Sequence, residues 1–129
     1  MRTTLIWAAV FGTIAIILGA LGAHALKAVL TADQLSSFET GVRYQMYHAL
    51  FLILIAILQH LNVVNGLKLI RNLTVGGVFG FSFSIYALSM QNLFGLKLAF
   101  LGPVTPIGGL LLIAAWALLF VNSLKAANR

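Results

Sequence analysis

The sequence predicts an all-α fold: an integral membrane four-helix bundle with an extended second helix and an interfacial outer loop before the fourth helix. Of its 129 residues, 61% are hydrophobic and only 8% are charged, whereas a soluble domain carries about 25% charged residues. The mean hydropathy is +1.05. Four apolar runs each approach the ~20 residues that cross about 30 Å of hydrocarbon. Because lipid offers the backbone no hydrogen-bond partners, each run must be a closed helix.

A single transmembrane domain, residues 1–129, is expected to hold all four spans. The first span covers residues 4–23. Its apolar run lies between Arg2 and Ala23-His24-Ala25, a pattern that is also typical of a secretory signal with a cleavage site. The run is longer than the ~7–15 apolar residues of such signals, so we expect a retained span.

The second span, residues 43–62, is predicted to be the end of a longer helix. The stretch Thr31-Ala32-Asp33-Gln34 has the form of a capping box, which marks a helix start. Apolar residues recur at helical spacing from Leu35 onward. A helix over residues 32–61 would be about 45 Å long, longer than the hydrocarbon core, so its first turns should lie in the headgroup zone.

The third and fourth spans, residues 72–91 and 106–125, flank the apolar segment FGLKLAFLGPVTP. This segment is too short to cross the bilayer and is interrupted by Gly102 and two prolines, so we expect it to lie at the interface. Pro106 suits the first turn of the last helix, where its missing N–H costs nothing.

Small residues that allow close approach between membrane helices recur along the spans. The clearest case is the GxxxG of Gly76 and Gly80 in the third span. We expect packing within one bundle, with a homo-oligomer as the alternative, since four short helices bury little by themselves. The predicted packing positions are Gly19, Gly22, Gly76, Gly80, Pro106, Gly108 and Gly109.

Basic residues predict the orientation of the chain. One side of the four-span path carries Arg2, Lys68, Arg71, Lys125 and Arg129, and the other carries Lys27, Arg43 and Lys97 together with both acids. Because short cytoplasmic loops are enriched in Lys and Arg, both termini are expected in the cytoplasm. The net charge of +6 is spread over the span ends, which favours membrane lipid as a partner and excludes nucleic acid.

Polar side chains gather in YQMYHAL, residues 44–50, where the second span begins. Residues four apart share a helix face, as Tyr44 and His48 do. His24, at the outer end of the first span, is expected at a similar depth. We interpret this cluster as an outward-facing pocket for a ligand, a lipid or a partner. The candidate residues are His24, Glu39, Arg43, Tyr44, Gln45, Tyr47, His48, Ser82, Tyr86 and Thr105.

Structural roles are the alternative for this cluster. Tyrosines at headgroup depth are typical of an aromatic belt, and Glu39 with Arg43 is typical of an exposed i,i+4 pair. An ionisable residue inside a span, such as His48, is a functional candidate, but it also fits a structural histidine. We expect no metal, because His60 lies about 18 Å along the helix from His48 and His24 with His48 supplies too few ligands for zinc. The sequence contains no cysteine and no catalytic motif, so no cofactor or catalytic residue is predicted.

Four stretches carry a resemblance to a known family: GALGAHAL (19–26), FETGVRYQMYHAL (38–50), FSFSIYAL (81–88) and TPIGGLLLIAAW (105–116). Over nearly its whole length the chain resembles the small four-span proteins grouped as domain of unknown function 423, which include bacterial inner-membrane proteins and the eukaryotic transmembrane protein 256. The resemblance implies a multi-pass protein of the bacterial inner membrane, with no established activity to carry over. Ala115 departs from the glycine that is typical of the family at that position.

The hallmark positions of that family fall mostly on the polar cluster already described. They map onto Gly22, His24, Arg43, Tyr44, Gln45, Tyr47, His48, Pro106, Gly108 and Gly109. This agreement makes the cluster the first place to look for a site.

Three classes of function follow from these features. The leading hypothesis is a non-enzymatic bundle that binds a ligand, lipid or partner in the polar pocket. A minimal oligomeric transporter or channel would need a polar path, for which the inner halves of the spans offer little beyond Thr13, Thr74 and Gln59. A membrane redox or lipid-modifying enzyme would have to use Glu39 and His48 as its acid/base pair.

Overall fold

The computed structural model describes residues 1–127 as a bundle of four long helical rods, each long and apolar enough to cross a membrane. In chain order the helices are α1 (Arg2–Ala23), α2 (Ala32–Leu61), α3 (Leu67–Val78), a π-helical turn (Phe79–Phe83), α4 (Ser84–Met90) and α5 (Val104–Ala127). Because α3, the π-helical turn and α4 follow without a break, they form the third rod. The predicted four-helix membrane bundle is confirmed.

The extended second helix is also confirmed. Helix α2 has 30 residues and begins with the capping box that the sequence indicated. The Gln34 backbone N–H donates to Thr31 Oγ1 at 3.2 Å, and the Thr31 backbone N–H donates to Gln34 Oε1 at 3.0 Å. Two of the N–H groups that every helix start leaves unpaired are thereby satisfied.

Helices α1 and α2 pack as an antiparallel pair, and small residues of α1 set their spacing. The positions that face each other are Gly22 with Phe38, Gly19 with Val42, Gly12 with Ala49 and Thr4 with Gln59. This register fixes depth in the bundle, because Gly12 lies at the middle of α1. Residues near Ala49 therefore lie at the middle of the membrane-spanning part of the molecule.

Helix α5 packs on α3 and on the π-helical turn. The closest approach is backbone to backbone: a Cβ on Gly80 would lie 2.9 Å from Gly108 Cα, and a Cβ on Gly108 would overlap the Phe81 nitrogen. One turn earlier, a Cβ on Gly77 would lie 2.5 Å from Leu112, whereas one on Gly76 would make only ordinary contact. Gly77, which the sequence analysis did not select, is thus the tighter position.

The two ends of the bundle differ in charge and in structure. We call the end with Met1, residues 62–66 and Lys125 the basic end; Arg129, also predicted on this side, lies outside the described residues. The loop end carries residues 24–31 and 91–103. The second of these segments forms two short 3-10 helices, Gln91–Phe94 and Ala99–Leu101. Its Phe100 is 70% exposed, as expected for an apolar segment at a membrane interface.

Candidate functional site

Three polar side chains are buried between α1, α2 and the third rod. They are Gln45, Tyr86 and Ser82, and we call them the paired core. Gln45 Nε2 donates to the Phe11 carbonyl at 2.8 Å, and the Tyr86 hydroxyl donates to Gln45 Oε1 at 2.7 Å. Ser82 Oγ donates to the Gly41 carbonyl at 2.8 Å. Because every bond joins two different helices, these side chains hold the bundle together.

Two local features of the chain make the paired core possible. At Gly41 a Cβ would lie 2.7 Å from Tyr86 Cε1, so glycine lets the tyrosine ring lie against α2. The π-helical turn provides the second feature, since one extra residue per turn changes the face that follows it. Ser84 stabilises this turn by donating to the Gly80 carbonyl at 2.6 Å, and its oxygen lies 2.6 Å from Thr105 Oγ1 on α5.

His48 lies one turn further along α2 and faces α5. Its Nδ1 is 2.7 Å from the Tyr44 carbonyl, and Trp116 Nε1 donates to its Nε2 at 3.3 Å. An indole N–H can only donate, so His48 Nε2 is the acceptor and Nδ1 carries the proton that bonds to the carbonyl. The imidazole is therefore neutral and fixed in one tautomer.

A groove opens beside this imidazole on the lipid-facing side of the bundle. It has a volume of about 600 Å³ and is mostly apolar. Trp116 is 49% exposed there, whereas His48 at the back is 5% exposed. The lining residues are Tyr44, His48, Phe81, Gly109, Leu112, Ile113, Trp116 and Ala117. A small number of polar groups in the wall of a mostly apolar groove is a typical ligand-site arrangement.

The depth of His48 differs from the sequence-based expectation. His48 precedes Ala49, which faces Gly12 at the middle of α1, and Trp116 lies near the middle of α5. The expectation that His48 lies where the second span begins is therefore wrong. Its error was to count the span from Tyr44, whereas about two turns of α2 before that residue already pack along α1.

His24 does not join His48. It follows the last residue of α1 at the loop end and is exposed, about 18 Å along the axis from the level of Gly12. The predicted shared depth of the two histidines is therefore wrong, and they cannot ligate one ion together. Among residues 1–127, no group of three His, Cys, Asp or Glu side chains lies close enough to hold a metal.

The remaining candidates lie on the outside of α2, except for Thr105 on α5. The expected Glu39–Arg43 ion pair is not among the contacts of residues 1–127; instead, Arg43 Nη2 donates to Thr40 Oγ1 at 3.1 Å. Both charged residues line a small groove of about 170 Å³ beside Gly19. Tyr47 is exposed and packs edge-on against Tyr44, with ring centroids 5.8 Å apart. Thr105 is bound to Ser84 at the start of α5.

Sequence reasoning missed Trp116 as a site residue. The available signal was chemical: an indole N–H within a span needs an acceptor, because hydrocarbon provides none. His48, inside another span, had an imidazole nitrogen for which the sequence analysis named no hydrogen-bond donor. Matching the Trp116 donor to the His48 acceptor between the two helices would have found the pair.

Four apolar helical rods with paired polar residues between them define a multi-pass membrane protein. The chain belongs to the family described as Protein of unknown function (DUF423), whose profile matches residues 18–109. The matched range contains the paired core and His48, and it ends just before Trp116.

Its relatives are named only as membrane proteins. A UPF0382 membrane protein of Staphylococcus haemolyticus is 40% identical over 83% of either chain. The UPF0382 membrane protein YwdK of Bacillus subtilis is 34% identical over 97% of this chain and 98% of its own. The UPF0382 inner membrane protein YgdD of Escherichia coli K12 is 33% identical over 99% of this chain and 94% of its own. No solved structure matches the chain significantly.

Proposed function

We propose that this protein is a non-enzymatic membrane protein that binds one hydrocarbon chain of a lipid in the groove between α2 and α5. The groove itself carries this proposal: its volume of about 600 Å³ lies within the ~300–1,000 Å³ typical of small-molecule sites. It opens at mid-depth, where hydrocarbon chains are the available ligands. Its apolar wall offers them many weak dispersion contacts.

The positions of the ionisable and polar groups favour a non-enzymatic role. Glu39 and His48, the acid/base pair that catalysis would need, lie nine residues apart on α2, about 14 Å along its axis. A channel through one protomer would need unpaired polar groups, whereas the buried polar side-chain atoms of residues 1–127 all have hydrogen-bond partners. Both facts support a binding role over the two alternatives.

Native mass spectrometry in mild detergent tests the groove. Ala117 lines it, so Ala117→Phe should fill it and remove most of the co-purifying lipid. Ala9→Phe is the matched control, because Ala9 is an exposed position of α1 outside the groove. Equal lipid retention in the two variants would refute the proposal. The same spectra report the number of subunits and thereby test an oligomeric transporter or channel.

We further propose that the protein lies in a bacterial inner membrane with both termini in the cytoplasm. Arg2, Lys68, Arg71 and Lys125 at the basic end support this orientation. The chain has no cysteine, so one engineered cysteine at a time can be labelled in intact cells. A cysteine at Lys27 should react with an impermeant maleimide, whereas one at Val63 should not. The reverse pattern would place the termini outside.

A further inference from the structure

A second concave surface lies at the basic end, where the chain start, the α2–α3 loop and the first turn of α3 meet. Its volume is about 370 Å³, and the residues that matter here are Met1, Gln59, Asn62, Asn65, Lys68 and Arg71. We call this surface the basic basin. It is separate from the groove, which opens at mid-depth on the α5 side.

The basic basin concentrates positive charge and hydrogen-bond donors. Lys68 and Arg71 supply the charge, and the amides of Asn62 and Asn65 add neutral donors. Both acids of the chain, Asp33 and Glu39, lie in the first turns of α2, near the loop end. No carboxylate among residues 1–127 therefore neutralises the basin.

Neighbouring contacts orient these donors. The Thr4 hydroxyl donates to Gln59 Oε1 at 2.7 Å, which assigns the oxygen of that amide to Thr4 and leaves its N–H groups for other acceptors. Arg71 uses Nε and Nη2 on Asn72 Oδ1, at 3.0 and 2.8 Å, which fixes its guanidinium plane. A guanidinium has five N–H donors, so further donors remain.

The start of α3 adds to the positive electrostatic potential of the basin. Helix α3 begins after Gly66, which has φ 75°, and no side chain caps its first turn. The first backbone N–H groups of a helix attract anions, through both hydrogen bonding and the helix dipole. Together with Lys68 and the oriented guanidinium of Arg71, this end of α3 makes the basin suitable for a phosphate group.

We propose that the basic basin binds the phosphate of an anionic phospholipid headgroup. A charged donor set with a guanidinium suits phosphate oxygens, and basic pockets between helices at a membrane face bind anionic lipid headgroups. The basin lies where α1, α2 and α3 reach that face. This inference does not depend on the groove, since it concerns a different surface and a headgroup rather than a hydrocarbon chain.

Competition between lipids tests the proposal. The full chain in mild detergent is offered equal amounts of phosphatidylglycerol and phosphatidylcholine, and bound lipid is counted by native mass spectrometry. Lys68→Gln and Arg71→Gln should each lower the preference for phosphatidylglycerol by about fivefold, which corresponds to the ~1 kcal/mol that one basic residue contributes near an anionic surface. The matched controls are Lys27→Gln and Lys97→Gln at the loop end, where the same loss of charge should leave the preference unchanged.

Each outcome supports or refutes the proposal. An equal loss in the loop-end controls would mean that net charge alone attracts the lipid. An unchanged preference for phosphatidylglycerol in the Lys68→Gln/Arg71→Gln double variant would show that the basin does not bind it. Displacement of phosphatidylglycerol by millimolar inorganic phosphate would assign the basin to a soluble phosphate instead of a lipid. Thermal melting of each variant checks that it folds, and phosphatidylglycerol should raise the melting temperature of the parent chain more than that of the double variant.

Discussion

Gln45 and His48 are three residues apart on α2, yet their surroundings differ. Gln45 is completely buried and makes bonds of 2.8 and 2.7 Å to groups on α1 and α4. His48 accepts a longer bond of 3.3 Å from Trp116, a half-exposed residue at the groove. A polar residue in a span can join helices or border an opening. The comparison shows that the packing of the neighbouring helix decides between these roles, more than residue type or depth does.

Helix packing explains this difference. α2 lies directly against α1 and α4, so the space around Gln45 is closed by backbone and by the Tyr86 ring. Helix α5 packs on α3 and the π-helical turn rather than on α2. The gap between α2 and α5 is therefore bridged only by side chains, among them His48 and Trp116. The π-helical turn serves both regions: Ser82 enters the paired core, and Phe81 lines the groove.

The largest effect is expected at the contact that fixes this geometry. Gly108→Ala should lower the free energy of unfolding by about 3 kcal/mol, because its Cβ would overlap the Phe81 nitrogen and force two backbones apart. Gly109→Ala is the matched control, since its Cβ would lie 3.6 Å from the Phe81 ring, an ordinary contact. Unfolding in mixed micelles measures both. Equal stability of the two variants would show that the backbone contact does not position α5.

The second-largest loss of stability is expected in the paired core. Gln45→Leu should cost about 2 kcal/mol, because it leaves the Tyr86 hydroxyl without its Gln45 acceptor in a dry interior and removes the second donor to the Phe11 carbonyl. Tyr86→Phe on the Gln45→Leu background should recover part of that loss, since it removes the hydroxyl that has lost its acceptor. A double-mutant cycle measures the coupling. Strictly additive losses would mean that the Tyr86–Gln45 bond contributes nothing.

The sequence predicts the fold well because composition, length of apolar runs and the capping box at Thr31 each act locally. The depth of His48 was not predictable in this way, since it depends on the register of α1 against α2. The π-helical turn has no residue pattern that marks it, and the close contact of Gly77 rather than Gly76 with α5 depends on how α3 is rotated against α5. Of the candidate site, Tyr44 and His48 were found, whereas Trp116 required pairing across helices.

The smallest effect is expected at the groove. Trp116→Phe removes the N–H donor to His48 but keeps an aromatic ring, and hydrogen bonds between membrane helices contribute about 0.6 kcal/mol on average. The cost should therefore be well below that of Gln45→Leu under the same unfolding conditions. Equal costs for the two variants would make His48–Trp116 a structural pair like the paired core, and the contrast between the two regions would disappear.

Tryptophan fluorescence of the same variant measures the depth of Trp116 in the membrane, independently of the stability of the protein. The chain has two tryptophans: Trp116 is near the middle of α5 and exposed at the groove, and Trp7 is half-buried near the basic end. In the parent chain, lipids brominated near the methyl ends of their chains should quench strongly, because those ends lie at the membrane centre and their bromines can reach Trp116. In Trp116→Phe only Trp7 emits, so quenching should shift towards lipids brominated closer to the headgroup. An unchanged depth profile would mean that Trp116 does not meet lipid at the membrane centre, and the groove would then be closed to hydrocarbon chains.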